Sequence, residues 1–225
     1  MTGPDLRPFA VLHVCVGNIC RSVLAERLTR LAAQARPGRF QVASAGTRAR
    51  PGAPMHPYTA AALRSFGADP DRFAARRLTP DLVAAADVVL TATAAERDEV
   101  LSLTPAALDR TFTLREFARL AAHLPPAGPV QPGAVVAAAL GLRWRAPAGD
   151  DDVADPRRTR AAFQLCAGVI AGAVRRTMAA LLATGEPVRS PQTRPVPPAR
   201  STEWFSSPRA VRSPSAERTE PPSRW

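Results

Sequence analysis

A continuous apolar run, Phe9 to Val16, ends in a glycine-containing loop that passes at once into a helix-forming stretch, FAVLHVCVGNICRSVLAERLTRLAA from Phe9 to Ala33. A short apolar run without polar alternation is what a strand buried on both faces of a parallel sheet requires. Leu24, Leu28, Leu31 and Ala35 then recur at helical spacing, with Glu26, Arg27 and Arg30 on the other face, so a helix is predicted from Ser22 until Pro37-Gly38 ends it. Strand, loop and helix in this order open a βαβ unit, and that restricts the chain to layered α/β folds.

The alternation continues. Phe40 to Ser44, closed by Gly46, reads as a second strand, and MHPYTAAALRSFG as a helix with Pro57 near its start and Gly67 at its end. TPDLVAAA is a short helix, Asp87 to Thr93 a buried strand, AAERDEVLSL a helix, and Phe112 to Leu114 a fourth strand leading into LREFARLAAHL. Parallel strands joined by helices imply right-handed crossovers. Ligands bind beyond the carboxyl ends of such strands, where the loop from Cys15 to Arg21 falls.

Two regions break the pattern. Residues 121–150, with the Pro125 to Asp152 stretch mixing proline-rich loop and one short helical segment, are expected to be a surface insertion. From residue 186 onward the chain has nine prolines in 40 residues, a composition that cannot offset chain entropy by apolar burial. The expected organisation is a folded domain over 1–185 and a disordered tail over 186–225. Between the two regions, a helix from about Arg158 to Thr184 carries Phe163, Cys166, Ile170, Val174 and Leu181 on one stripe, with Gly185 closing it.

The formal charge of +11 is spread along the whole chain without a dense basic block or a nucleic-acid-binding motif, so a nucleic-acid partner is not expected. The longest apolar stretches, Ala134 to Leu142 and Cys166 to Val174, are far shorter than the roughly 20 residues of a membrane span. No signal-peptide pattern opens the chain. Three cysteines make no secreted disulfide framework, which points to a reducing cytoplasm.

Two of those cysteines stand in the loop Cys15-Val16-Gly17-Asn18-Ile19-Cys20-Arg21-Ser22. A strand that stops, turns and becomes a helix aims backbone N–H groups at one point and makes an anion cradle. Gly17 permits close approach or unusual backbone angles, and Asn18 tolerates a left-handed conformation. Arg21 adds a fork that matches two phosphate oxygens. Helix N-termini and arginine depress a thiol's pKa, so Cys15 is a candidate nucleophile, and Ser22 can donate a hydrogen bond to its sulfur. Buried cysteines without chemistry are the alternative. A metal site is disfavoured, because His13, His56 and His123 show no ligand spacing, and GNICRS is neither a Walker A nor a dinucleotide fingerprint.

VCVGNICRS, followed by SAGT at Ser44 to Thr47 and by Asp155-Pro156, resembles the low molecular weight protein tyrosine phosphatase family over most of residues 8–184. The resemblance implies a three-layer α/β/α fold with a four-stranded parallel sheet, flavodoxin-like or phosphotyrosine phosphatase I-like, needing neither metal nor cofactor. By the same resemblance Cys15 is the nucleophile of a phosphocysteine intermediate, Arg21 clamps the phosphate, Asn18 shapes the loop and Ser22 favours the thiolate. Val16, Gly17 and Ile19 complete the loop, and Cys20 matches a cysteine able to form a reversible disulfide with the nucleophile. Asp155 stands where the family keeps its general acid, although Asp-Pro also starts helices. Asp150, Asp151 and Asp152 read as solvated loop charges.

The expected substrate is a phosphorylated protein, most simply one carrying phosphotyrosine. Ile19 separates this chain from relatives acting on phosphoarginine, which tend to have threonine there. Arg157 and Arg158 replace the aromatic common after Asp-Pro, and Arg48, Ala49 and Arg50 the aromatic common after SAGT. The alternatives are an arsenate reductase, for which only Cys166 remains as a downstream cysteine, and a non-catalytic module binding phosphorylated proteins.

Overall fold

Four parallel strands lie in the order β2-β1-β3-β4, with β1 over Phe9–Cys15, β2 over Phe40–Gly46, β3 over Val88–Thr91 and β4 over Thr111–Thr113. The structure is a computed structural model and describes residues 7–124, 131–147, 149–156 and 159–183. The unbroken apolar character of β1 has its reason in this position. β2 pairs with one edge and β3 with the other, and helices cover both faces. Alternate residues split between two cores: Val11 and Cys15 face one, Leu12 and Val14 the other.

The first core is closed by α1 (Arg21–Ala33), α2 (Pro57–Ser65), α5 (Leu114–Ala121), α6 (Pro132–Leu142) and α7 (Arg160–Leu182), and the second by α3 (Pro80–Ala85) and α4 (Ala94–Leu103). This is the three-layer α/β/α arrangement. The chain leaves β1 between β2 and β3, the switch point at which such sheets open a crevice.

Threonines set where the helices start. Thr79, Thr93, Thr113 and Thr159 each accept a hydrogen bond from the backbone N–H three residues on, and Thr113 forms a full capping box with Glu116. The Thr113 cap explains why β4 covers Thr111–Thr113: Leu114 is already the first residue of α5. At the other end of the sequence α1 starts one residue earlier than its apolar spacing suggests, at Arg21, and β1 stops at Cys15.

The whole predicted stripe of α7, Phe163, Cys166, Ile170, Val174 and Leu181, is buried. Within the 121–150 segment, α6 buries Val135, Val136 and Ala139 in the first core. Arg143 just beyond it lies over the Phe112 ring at 4.2 Å and bonds Glu116 at 2.8 Å, so this part of the segment is built into the domain. Residues 186–225, Arg157, Arg158, Thr184 and Gly185 lie outside the described residues.

Candidate active site

Cys15 is the last residue of β1, opposite Gly46 in the register, and only 3% exposed. Its Sγ lies 2.9 Å from Ser22 Oγ in the first turn of α1. Asn18 Nδ2 donates to Ser22 Oγ at 3.0 Å and to Ser44 Oγ at 2.8 Å, and the Ser44 hydroxyl donates to the Glu26 carboxylate. With its oxygen already accepting from Asn18, Ser22 keeps one proton to give the sulfur. Asn18 Oδ1 in turn accepts from Arg76 N at 2.9 Å, and Arg76 Nε donates to Ser44 O at 2.8 Å.

Asn18 has φ of 50°, the left-handed conformation expected of it, and its side-chain amide, donating two hydrogen bonds and accepting one, holds it there. Gly17 is different from the expectation. Its φ is not in the left-handed region, and a Cβ there would meet only Ile19 Cγ1 at 3.5 Å, an ordinary contact. The glycine that close approach does require is Gly46: a Cβ on it would lie 2.5 Å from Val16 O and 2.8 Å from Asn18 N. The SAGT segment therefore packs directly beneath the loop. Glu26, read from the helical spacing as part of the polar outer face, is buried and ties Ser44 to Arg30, whose Nη2 is 2.8 Å away.

Burial pushes the Cys15 thiol up, while the Ser22 hydroxyl, the Ser22 N–H, the Arg21 charge and the Asn18 N–H pull it down. In this loop burial outweighs the four together, whereas the sequence reading expected a depressed thiol. Cys20 is raised as well, first by its hydrogen bond with Cys166 and then by burial. Cys166, read as a core residue of the α7 stripe, is buried and touches the thiol on the flank of the loop.

Arg21 reaches across the top of the sheet. Its Nη2 is 3.2 Å from Glu96 Oε1, its Nη1 donates to Val153 O at 3.2 Å, and its Nε is 3.0 Å from Asp155 Oδ1. The last contact has ion-pair distance but not hydrogen-bond direction, so the Nε–H has no acceptor. The structure thus brings Cys15, Asn18, Arg21, Ser22 and Asp155 together. Sequence reasoning missed Glu96, Glu26, Arg76 and the Val153 carbonyl. For Glu96 a signal existed, the Thr93-x-x-Glu96 pattern that opens α4, but it reads as a cap and says nothing of Arg21.

The segment carrying Asp155 is fastened down by the three aspartates read as solvated loop charges, of which Asp150 is largely exposed even while paired. Asp151 pairs with Arg119 at 2.6 Å, Asp150 with Arg115 at 3.2 Å, and Asp152 Oδ1 accepts from Ala94 N at the start of α4 at 2.8 Å. Backbone bonds add to these: Thr113 Oγ1 to Asp151 O at 2.8 Å, and Val153 N to Ala92 O at 2.8 Å. They are clamps on α4 and α5, made where the chain returns to the sheet.

This arrangement, an anion-cradling loop between β1 and α1 at the switch point of a parallel sheet with a carboxylate held over it, defines a cysteine-based phosphatase site. The model of the low molecular weight phosphotyrosine protein phosphatase family matches residues 10–130, and the chain belongs to that family. A probable low molecular weight protein-tyrosine-phosphatase, EpsP of Ralstonia nicotianae, is 39% identical over 107 residues, covering 48% of this chain and 71% of EpsP. A protein-arginine-phosphatase of Geobacillus stearothermophilus is 33% identical over 110 residues, covering 49% and 72%. Among solved structures, the tyrosine phosphatase AmsI of Erwinia amylovora shares the fold with a TM-score of 0.58 at 24% identity, covering 80% of this chain and 97% of AmsI. The YwlE arginine phosphatase of G. stearothermophilus has a TM-score of 0.61 at 24% identity, covering 78% and 94%.

Proposed function

We propose that the protein hydrolyses phosphotyrosine in proteins through a phosphocysteine on Cys15. The ester phosphate sits in the loop from Cys15 to Ser22, held by the N–H groups of Val16, Gly17, Asn18, Ile19 and Cys20 and by Arg21. Cys15 gives its thiol proton to the Asp155 carboxylate, and the resulting thiolate attacks phosphorus in line with the leaving oxygen. As the P–O bond breaks, the Asp155 carboxyl gives its proton to that oxygen and the phenol departs. Asp155, now a carboxylate, takes a proton from the water that attacks the phosphocysteine, which releases inorganic phosphate and the Cys15 sulfur.

One observation carries this reading: Cys15 Sγ is 2.9 Å from the Ser22 hydroxyl, and the adjacent Arg21 has Asp155 at 3.0 Å. Asp155 has a 74% exposed side chain, so it is free to meet a bulky leaving group.

Ile19 supports phosphotyrosine over phosphoarginine, although relatives of both kinds exist. Both arginines after SAGT, Arg48 and Arg50, are exposed, and Arg48 pairs with Glu99 at 2.6 Å. Hydrolysis of an aryl phosphate with and without EDTA, by native protein, Cys15→Ser and Asp155→Ala, tests the mechanism. Turnover must survive EDTA, vanish with Cys15→Ser and fall steeply with Asp155→Ala. Matched peptides bearing phosphotyrosine or phosphoarginine then test the substrate, and faster turnover of phosphoarginine would sink the tyrosine reading.

A further inference from the structure

Arg21 meets two carboxylates whose surroundings are opposite. Glu96 has a side chain 4% exposed, while that of Asp155 is 74% exposed. Glu96 is fixed in place: it lies in the first turn of α4, its other oxygen accepts a hydrogen bond from the Thr93 hydroxyl, and its N–H donates to Thr93 Oγ1. The α4 N-terminus is itself tied to the acid segment through Ala94 N and Asp152. Buried and hydrogen-bonded, Glu96 cannot leave without stranding a charge. Asp155 can exchange into water at little cost.

We infer that Glu96 is a positioning residue for Arg21, holding the guanidinium by Nη2 together with the Val153 carbonyl on Nη1, and that Asp155 is an exchangeable stand-in for a phosphate oxygen at Nε. The inference rests on the anion-binding reading of the loop. Nε–H is the position left without an acceptor, and it is where the exposed carboxylate rests. An incoming phosphate oxygen displaces Asp155 from this position and receives the N–H, and the released Asp155, carrying the proton that the Cys15 thiol gives up, becomes available to protonate the leaving group. Glu96 stays. A carboxylate beside the phosphate-binding arginine weakens the local positive field, so its contribution is orientation of the planar fork rather than charge.

This gives opposite signs for removal of two like charges from one guanidinium. Inorganic phosphate binding, measured by calorimetry at neutral pH, requires no turnover. Asp155→Asn removes a competitor and is expected to bind phosphate more tightly. Glu96→Ala frees the fork and is expected to weaken phosphate by about tenfold or more, since misplacing such a group by about 1 Å costs up to about 10²-fold. Glu96→Gln keeps an acceptor for Nη2 and is expected to remain near native or tighter.

Glu96→Asp keeps the charge but shortens the reach by one methylene, and it must weaken binding too. It replaces Glu96→Ala if the alanine variant does not fold. Unchanged or tighter phosphate binding by folded Glu96→Ala or Glu96→Asp, whatever the melting temperature, would overturn the positioning role. Native protein that binds no phosphate would overturn the loop reading and this inference with it. Native protein that binds phosphate but does not hydrolyse an aryl phosphate would overturn only the enzymatic reading, leaving Glu96→Ala and Glu96→Asp to decide the rest.

Discussion

Around Cys15 the polar contacts are buried, and around Asp155 they are open to water. Asn18, Ser22, Ser44 and Glu26 are all under 4% exposed and pass hydrogen bonds from one to the next. On the acid side, Arg115 and Arg119 reach Asp150 and Asp151 from partly exposed positions. A buried network is rigid because each unmade bond is costly, whereas exposed ion pairs contribute little each and yield easily. The Cys15 side is thus the more rigid of the two, and the Asp155 side is held by contacts that water can more easily replace.

The comparison breaks first at Asn18. Asn18→Ala removes three hydrogen bonds from a buried amide and puts alanine at positive φ. At about 1–3 kcal/mol for each stranded partner, we expect stability to fall by several kcal/mol and kcat/KM on an aryl phosphate to fall by about 10²-fold. Denaturant melts and steady-state kinetics on the soluble variant check both. Near-native kinetics would mean that the network does not set the loop.

The buried side also carries an acid-labile group. His13 in β1 bonds Thr29 Oγ1 at 3.0 Å through Nε2, and burial lowers its pKa to about 3 from the ordinary 6.5. Its folded value is depressed, so the unfolded chain takes up the proton first as pH falls. Stability is complete above about 6.5 and declines below it by about 1.4 kcal/mol per pH unit. Melts at pH 6.5 and 5 should show about 2 kcal/mol of loss, and His13→Gln should flatten that slope. An unchanged slope would place the acid sensitivity elsewhere.

Arg119→Ala, on the open side, is expected to cost at most about 1 kcal/mol of stability while lowering kcat by up to about tenfold through a looser Asp155. Alkylation of Cys15 in the same variant should keep its native rate, because the buried network is untouched. The smallest effect is expected from Ser22→Ala. Loss of the hydroxyl that pulls the thiol down should raise the pH midpoint of Cys15 alkylation. A midpoint that falls would reverse the assigned direction of the Ser22 hydrogen bond.

Much of this was legible in the order of residues. Apolar runs without alternation gave the parallel strands, and Cys15 through Ser22 could be placed at a sheet's carboxyl end, because strand, loop and helix are local in sequence. SAGT marked Ser44 and Gly46, although why Gly46 must lack a side chain appears only when Val16 and Asn18 pack on it. Charge roles were misjudged wherever a partner is distant. Glu26 looked like a surface residue because its partner Ser44 lies outside the helix, in β2, and the pairing of Asp150 and Asp151 was not visible because Arg115 and Arg119 lie more than thirty residues back.

The sequence by itself determined which elements form, where the nucleophile loop lies and which chemistry its residue types allow, since these follow from periodicity and from backbone geometry within a few residues. Only the tertiary structure decided how Arg21 is held. Glu96, Val153 and Asp155 converge on Arg21 from two segments that the sheet order brings side by side, and burial of one carboxylate with exposure of the other is a property of that packing, not of any local pattern.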